Sequence, residues 1–340
     1  MRFGANDYAA QMTMTRSEKL SGKPAVRFIP GTAADSYAVF LVFEQAYADL
    51  MRRQGEAGST SIADRESLAR MWASRRPLYE HLANTADQFW LARRGDEILG
   101  FARSILRDDL RLLTEFFIVP GDQSTGLGRE LLTRAFPAKG GERRWLLATS
   151  DLRAQALYLK NGLYPSFPAY YLWREPRKLP AIEDARDEDV RVEDDLTEDD
   201  LEIQAAAASP GTIEAMGDID AQLLDHRRDV DHEWLMSDRQ AHLYYRAGEA
   251  VGYGYTGPSS GPFALLNPAD FPAVLAHAEG EMARLDVTHF GLEVPMVNHS
   301  AVDYLLGNGF RIGDFMATFM SNGPVAGLNH YIMTSPPFIL

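Results

Sequence analysis

The chain has 340 residues, of which 46% are hydrophobic and 24% are charged, and it carries a net charge of −14. This length is about twice that of a typical domain, so we expect two domains of roughly 150 residues each. The sequence has no cysteine, which excludes disulfides, thiolate zinc sites and cysteine nucleophiles, and its eight histidines show no HExxH-like spacing, so no metal site is expected.

The N-terminal segment and the charge distribution restrict the compartment and the partners. Residues 1–23 have no apolar core of signal-peptide length, and we find no apolar run of the ~20 residues that a membrane span needs. We therefore expect a leader ahead of a cytoplasmic protein that does not contact a membrane. Residues 1–176 carry 24 Lys and Arg against 20 Asp and Glu, whereas residues 177–340 carry 10 against 28. A polyanionic ligand should therefore bind the first half, and nucleic acid is not an expected partner.

The hydrophobic pattern of the first half predicts an α+β order. In chain order, the predicted elements are a strand over 25–29, helices over 33–52 and 66–84, strands over 88–93, 98–107 and 110–119, a helix over 126–136, a strand over 145–148, a helix over 152–161 and a strand over 164–173. The segment Asp108–Arg111 (DDLR) is typical of a hairpin turn, which disfavours a catalytic role for Asp108 and Asp109.

The second half repeats parts of this order. At a constant offset of 147 residues, Asp151, Ala154, Tyr158 and Gly162 are matched by Asn298, Ala301, Leu305 and Gly309. Val26-Arg27 and Val190-Arg191 each precede a helical segment. Between the halves lies an acidic, proline-containing linker, placed at 177–189. We therefore predict two homologous domains, 24–176 and 190–340.

The strongest local motif lies where a β-rich run meets a helix within Leu113–Leu132. The junction residues are Gln123, Ser124, Thr125, Gly126, Leu127 and Gly128. Glycines at such a junction let the backbone approach a phosphate, and the free N–H groups of the first helical turn point at the ligand. The pattern predicts a pyrophosphate-binding loop. A glycine pair that only starts a helix is the alternative.

The pattern P-x-x-Q-x-x-G-x-G, followed by A-x-x-x-Y-x-x-x-G, resembles the GNAT superfamily of acetyl-CoA-dependent N-acyltransferases over residues 24–176. The tandem arrangement is similar to that of mycothiol synthase. The resemblance implies an α+β fold of two tandem GNAT-like domains. Each would be a mixed, mostly antiparallel sheet flanked by helices, with a splayed pair of cofactor-binding strands.

The resemblance also implies a role for each motif residue. The loop from Gln123 to Gly128 would bind the pyrophosphate of acetyl-CoA, and the strand Phe117, Ile118 and Val119 would pair with its pantetheine arm. That strand would splay from Leu146–Thr149, and Asp151 and Ala154 would also contact the cofactor. Gln123, Ser124 and Asp151 stand where the family more often has Arg, Gly and Asn.

Acyl transfer requires a free amine, a stabilised oxyanion and a proton for the leaving thiolate. Tyr158 is the candidate proton donor, although it could be a buried aromatic only. The main-chain N–H of Ile118 or Val119 would polarise the thioester carbonyl. Glu115 is the candidate base, with anchoring of a substrate cation or of a neighbouring arginine as the alternative. Tyr170 and Tyr171 are candidates for the acceptor pocket, against ordinary sheet packing.

The second half lacks these groups. Alignment of Pro120 with Pro268 places Phe271, Val274 and Ala276 at the positions of Gln123, Gly126 and Gly128, and Leu305 replaces the tyrosine. Bulky side chains and Pro272 would obstruct a phosphate. We expect a degenerate copy that completes the acceptor pocket or shields the first domain.

The sequence therefore predicts acetyl transfer from the cosubstrate acetyl-CoA to a primary amine of a small molecule or peptide, in a ternary complex. The acidic second half suggests a cationic acceptor. The alternatives are a non-catalytic acyl-CoA sensor or assembly protein and an aminoacyl transferase that uses charged tRNA; the net charge and the intact loop disfavour the latter. Homodimer formation is left open.

Overall fold

The computed structural model describes residues 24–55, 65–177, 201–285 and 287–339. The predicted leader 1–23, Val190-Arg191 and nearly all of the linker 177–189 lie outside these ranges. Within them, none of the helices combines the length and the apolar character that a bilayer crossing requires.

The first half contains the ten elements that the sequence predicts, in the predicted order. They are β1 (Val26–Pro30), α1 (Ser36–Gln54), α2 (Arg65–Thr85), β2 (Ala86–Arg94), β3 (Glu97–Arg107), β4 (Leu110–Ile118), α3 (Leu127–Ala135), β5 (Arg143–Ala148), α4 (Leu152–Lys160) and β6 (Tyr164–Arg174). Asp108 has a positive φ of 49°, as a tight turn between β3 and β4 requires, so Asp108 and Asp109 form the predicted hairpin turn.

The second half follows a similar succession. Its elements are β7 (Glu202–Ala206), α5 (Pro210–Leu224), α6 (Asp229–Asp238), β8 (Gln240–Arg246), β9 (Glu249–Thr256), β10 (Phe263–Leu265), α7 (Phe271–Arg284), β11 (Phe290–Pro295), α8 (His299–Gly307), β12 (Arg311–Ser321) and β13 (Tyr331–Ile332). The bounds of β11, α8 and β12 are those of β5, α4 and β6 shifted by 147 residues. The offset found in the sequence thus relates whole elements.

Eight strands form a mixed sheet in the order β1-β2-β3-β4-β5-β12-β6-β11. All neighbours are antiparallel except β4 and β5, which run parallel and pair only over Leu110–Leu113 and Arg143–Leu146. Beyond Leu113 the two strands diverge, so the splayed pair is present. Two strands of this sheet, β11 and β12, come from the second half, and β6 lies between them. The sequence pattern did not predict that strands of the two halves would alternate within one sheet.

The remaining five strands form an antiparallel sheet in the order β13-β10-β9-β8-β7. Strand β13 pairs with β10, and Met333, which follows it, bridges to Glu293 of β11. The chain beyond β12 therefore occupies the space between β10 and β11. The predicted α+β class, with mixed and mostly antiparallel sheets flanked by helices, is confirmed.

The two halves share buried contacts. Asp231 of α6 accepts hydrogen bonds from Arg107 Nε and Nη2 at 2.8 and 2.7 Å and contacts His81 Nε2 at 2.8 Å. The ring of His81 stacks on Trp234. One apolar cluster also joins residues of both halves, among them Leu112, Trp145, Leu243 and Phe319. The core thus continues across the boundary that the sequence suggests between the two domains.

Candidate functional site

A cavity of about 700 Å³ opens where β4 and β5 diverge. Its walls come from α1 and α2, from the β4 strand and the loop that follows it, from α4 and β6, and from the second half, which contributes Glu293, Phe315 and residues 335–338. Both halves therefore build this cavity, and each predicted site residue can be placed relative to it.

The loop after β4 has the geometry of an anion-binding cradle. Ser124 and Gly126 both have positive φ, 63° and 97°, and α3 begins directly after Gly126. The first N–H groups of α3 have no acceptor within the helix. A Cβ added at Gly126 would meet no atom within 4 Å, so this position opens onto the cavity that it lines. An anion can therefore approach the main chain closely here.

Not every predicted loop residue faces the cavity. Gln123, Ser124, Gly126 and Gly128 line it. Thr125 and Leu127 are not among the lining residues. The hydroxyl of Thr125 donates to the carbonyl of Asp122 at 2.6 Å, and Leu127, the first residue of α3, is buried in an apolar cluster with Leu99 and Ala102. Their contribution to the cradle is therefore confined to the main chain.

The two candidate amide donors on β4 differ in availability. The N–H of Val119 donates to the carbonyl of Leu99 at 2.9 Å, so it cannot polarise a bound carbonyl. Because alternate residues of an antiparallel strand bond to the same neighbour, the backbone of Ile118 faces away from β3. Its carbonyl accepts a hydrogen bond from Gln123 Nε2 at 3.0 Å on that side. Of the two, the N–H of Ile118 is the one that no described strand engages, and both Phe117 and Ile118 line the cavity.

Positive side chains surround the start of α4. Asp151 caps this helix by accepting from the N–H of Arg153 at 2.9 Å, and it pairs with the side chains of Arg53 and Arg153. Burial favours the neutral acid, but the hydrogen bonds from Arg153 and Arg53 outweigh it and lower the pKa of Asp151 to about 2. Arg129 and Lys160 also line the cavity, as does Ala154. The carboxylate is thus neutralised, and the cavity wall keeps an excess of positive charge.

Tyr158 projects from α4 into the cavity. Its side chain is 5% exposed and meets Phe116 edge to face, with ring centroids 6.1 Å apart. Burial raises the pKa of its phenol, with a smaller contribution from the charge of Asp151. Among the described residues the hydroxyl has no hydrogen-bond partner. Tyr158 is therefore both a packed aromatic residue and a protonated hydroxyl available to a ligand.

Glu115 faces the cavity but is engaged by a neighbour. Its carboxylate accepts hydrogen bonds from Nε of Arg103 at 2.7 Å and from Nη2 of the same guanidinium, and both side chains are fully buried. Arg103 Nη1 also donates to the carbonyl of Tyr79 at 3.0 Å. Burial raises the pKa of Glu115, and Arg103 opposes the shift. The structure thus shows the anchoring of an arginine that the sequence left as the alternative to a base.

Only one of the two predicted acceptor tyrosines reaches the cavity. Tyr171 lines it, whereas Tyr170 packs on the opposite face of the sheet, because successive residues of a strand alternate sides. The hydroxyl of Tyr171 lies 2.6 Å from His289 Nε2. Among the polar side chains that line the cavity and that sequence reasoning did not single out are Arg75 of α2 and Glu293 of β11.

Comparisons with known proteins identify the fold. Residues 85–162 match the family model described as an acetyltransferase (GNAT) domain. The chain has the GNAT fold. A protein of Pyrococcus horikoshii named as a candidate acetyltransferase is 17% identical, with a TM-score of 0.64 over 90% of this chain and 92% of the other. A GCN5-related N-acetyltransferase from Sphaerobacter thermophilus is 15% identical, with a TM-score of 0.51 over 89% and 98%. No curated protein matches the sequence.

A third solved structure has a GNAT region within a larger fungal protein. It is the glucosamine N-acetyltransferase region of a multi-domain GH3 β-N-acetylglucosaminidase, 13% identical, with a TM-score of 0.56 over 88% of this chain and 38% of that one. At such identities the similarity defines the fold of this chain.

Proposed function

We propose that the protein transfers an acetyl group from acetyl-CoA to a primary amine in a ternary complex. The observation that carries this proposal is one cavity that joins an anion-binding cradle at Gly126, a gap between β4 and β5, and the hydroxyl of Tyr158, which has no hydrogen-bond partner among the described residues. Each of these features corresponds to a chemical requirement of the reaction.

The cradle and the positive side chains fit the anionic part of CoA. The main-chain N–H groups at the start of α3 would bind the pyrophosphate, with the positive end of the helix dipole behind them. Arg129 and Lys160 would add charge, and Arg53 and Arg153 share theirs with Asp151. The thioester would enter the gap between the diverging strands, where the backbone of Ile118 is free of β3.

Within the gap, two groups of this chain would act on the thioester. The N–H of Ile118 would donate a hydrogen bond to the carbonyl oxygen, which becomes negative as the amine attacks. Tyr158 would then give its proton to the departing sulfur, since the raised pKa of the phenol keeps it protonated at neutral pH. Acetyl-CoA supplies the activated acyl group.

We also propose that the second half is a copy without a working cofactor site. Its elements β11, α8 and β12 repeat β5, α4 and β6 at an offset of 147 residues. Val274, which replaces Gly126 in the alignment, is buried within α7. The gap that would lie between β10 and β11 contains β13 and Met333 of the chain itself. These observations support a silent copy whose residues complete the cavity of the first half.

An alternative is an acyl-CoA-binding protein without turnover. The observation in its favour is the ion pair of Glu115 with Arg103, which engages one oxygen of the carboxylate that the sequence predicts as the base. Such a protein would bind CoA but release no thiol in the presence of any amine.

The test of the proposed function is calorimetric titration with acetyl-CoA and with free CoA. We expect one site per chain in the unaltered protein and no measurable binding after Gly126→Val, because the new side chain would fill the cradle. Gly95→Val is the matched control, since Gly95 also has positive φ and open space but does not line the cavity. Equal affinity of the Gly126 variant and the control would reject the cradle.

A further inference from the structure

Four residues form what we term the acceptor wall of the cavity: Arg75, Tyr171, Glu293 and Phe338. None belongs to the cradle or to β4. Tyr171 and Glu293 are adjacent because they are paired residues of neighbouring strands, and Arg75 lines the same cavity from α2. Phe338 packs edge to face on Phe43, with ring centroids 5.6 Å apart, so the wall is partly apolar.

Strand pairing sets the position of Glu293. It lies directly opposite Tyr171 in the antiparallel pair of β11 and β6, so both side chains are on the same face of the sheet. A Cβ at Gly291, two residues earlier on this face, would overlap the hydroxyl of Tyr171. The tyrosine ring therefore leans over Gly291 towards His289, and it leaves the carboxyl of Glu293 facing the cavity.

The carboxyl of Glu293 has an unusual environment. It is 4% exposed, and its Oε2 has no hydrogen-bond partner in the part of the chain that the structure describes. Burial raises its pKa to about 8, against the opposing charge of Arg75. Directly after β13, the N–H of Met333 donates to the main-chain carbonyl of Glu293, so this hydrogen bond leaves the carboxyl unengaged. Unlike Glu115, this carboxyl has no arginine partner within the described ranges, and it can accept a proton from a ligand.

Arg75 supplies the opposite charge. It is half-buried against the cavity, and the structure shows no hydrogen bond or ion pair between its guanidinium and any residue of the described ranges. The next residue, Arg76, points away and pairs with Glu80 at 2.7 Å. A guanidinium in such a position matches the planar, two-oxygen geometry of a carboxylate.

We propose that the acceptor is a free amino acid, bound with its carboxylate on Arg75 and its amine at Glu293, and that Glu293 is the base for the transfer. This inference rests on the proposed function. Glu293 takes a proton from the ammonium group, and the freed electron pair forms the C–N bond to the acetyl carbon as the C–S bond breaks. Tyr158 protonates the sulfur and regains a proton from the new amide nitrogen. The products are the N-acetylated amino acid, CoA thiol and one proton, which Glu293 releases to solvent.

The acceptor class is tested with matched pairs of amines that differ only by the carboxylate. The probes are leucine against 3-methylbutylamine and phenylalanine against 2-phenylethylamine, chosen for the apolar part of the wall, with thiol release as the readout. We expect kcat/KM to favour the amino acid of at least one pair by about 10- to 100-fold, the scale of a charge-assisted hydrogen bond. Arg75→Gln should remove this preference, so that the ratio of the two kcat/KM values in each pair approaches one, whereas the control Arg76→Gln should retain it.

The inference is overturned if the decarboxylated amines are preferred, if the preference survives Arg75→Gln, or if the protein binds acetyl-CoA and acetylates neither amino acid. If the unaltered protein does not bind acetyl-CoA at all, the proposed function fails and the acceptor assignment fails with it. The calorimetric titration separates these two results.

The role of Glu293 is tested by the pH dependence of kcat/KM at saturating acetyl-CoA. The active form is the carboxylate, so the rate should rise about tenfold per pH unit below a pKa of about 8 and level off above it. Glu293→Gln should lower kcat by roughly 10²-fold. It should also remove this rise in the pH profile, so that only the titration of the amine itself remains. Glu115→Gln is the comparison variant, and it should keep the rise below about pH 8. A rise retained in the Glu293 variant would exclude Glu293 as the base.

Discussion

Tyr158 and Glu115 face the same cavity from α4 and β4, but their surroundings suit them to different tasks. The carboxylate of Glu115 is held by Arg103, whose guanidinium also binds the carbonyl of Tyr79, so it fixes β3 and β4 to α2. The hydroxyl of Tyr158 has no such partner among the described residues and has a raised pKa. A group that must donate a proton to a ligand needs this freedom.

Tyr158→Phe removes only the hydroxyl. We expect kcat to fall by roughly 10²-fold, because one acid catalyst is lost, with little change in the affinity for acetyl-CoA or in stability. Steady-state thiol release and calorimetry measure the two effects separately. An unchanged kcat would remove Tyr158 from the mechanism, and an equal loss of binding would mean that the hydroxyl contributes to cofactor affinity.

Glu115 shows why the sequence predicts a site residue without predicting the partner of its side chain. The turn at Asp108 and Asp109 sets a register for the hairpin of β3 and β4 that would place Glu115 opposite Ala102. A β-bulge between Arg103 and Ser104 shifts this register by one residue and brings Glu115 opposite Arg103 instead. Glu115 was found in the sequence, but the bulge that pairs it with an arginine leaves no recognisable pattern there.

At the scale of elements, α4 links the helix cap to the charge of the cavity. Asp151 accepts from the N–H of Arg153 at the start of the helix and neutralises Arg53 and Arg153 at the same time. With a pKa of about 2, the carboxylate stays ionised at any pH used in an assay. The carboxylate of Asp151 therefore offsets part of the positive charge that a bound polyanion would meet in the cavity.

Two substitutions separate these roles. Asp151→Asn keeps an oxygen that can cap the helix but removes the charge, so CoA affinity should rise by roughly 3- to 10-fold at low salt with stability nearly unchanged. Asp151→Ala should raise affinity similarly but cost about 1 kcal/mol of unfolding free energy, because the cap is lost. Calorimetry at two salt concentrations and urea unfolding measure both. Weaker binding in the Asn variant would indicate that Asp151 itself contacts the cofactor.

The elements of the first half were predictable because each rests on a local pattern. Apolar residues at helical spacing mark α1, and the glycines at 126 and 128 mark the start of α3. The acceptor wall was not predictable. Glu293 enters the cavity only because β11 pairs with β6, and β6 belongs to the other half of the chain. A pattern within β11 gives no information about which strand will lie beside it.

At the scale of the whole molecule, Asp231 connects the halves. The carboxylate is fully buried with Arg107 and His81 from the first half. Burial opposes ionisation, but the hydrogen bonds and charges of Arg107 and His81 prevail and hold its pKa far below the usual range. A depressed carboxyl pKa stabilises the fold above the unfolded pKa, about 4, and this contribution is lost as the pH falls below it.

Asp231→Ala would leave Arg107 buried without its partner. We expect a loss of about 3–5 kcal/mol in the free energy of unfolding at pH 7, measured with urea. The variant should also lose less stability than the unaltered protein when the pH is lowered below about 4. Asp218→Ala is the control, since Asp218 is 61% exposed and pairs with Arg227 at the surface, where an ion pair contributes roughly 0–1 kcal/mol. Similar losses in both variants would mean that the buried pair does not hold the halves together.

The insertion of β12 between β5 and β6 also has a consequence for the newly made chain. Thr318 of β12 pairs with Ala148 of β5, which the ribosome adds about 170 residues earlier. At an elongation rate of about 5–20 residues per second, β5 lacks its neighbour β12 for roughly 10–30 s. Until β12 is synthesised, the cradle and Tyr158 lie in an incomplete sheet in which β5 is an unpaired edge strand. Such an edge strand can pair with a strand of another chain and cause aggregation. The nascent protein should therefore depend on protection by chaperones until its C-terminal strands have been synthesised.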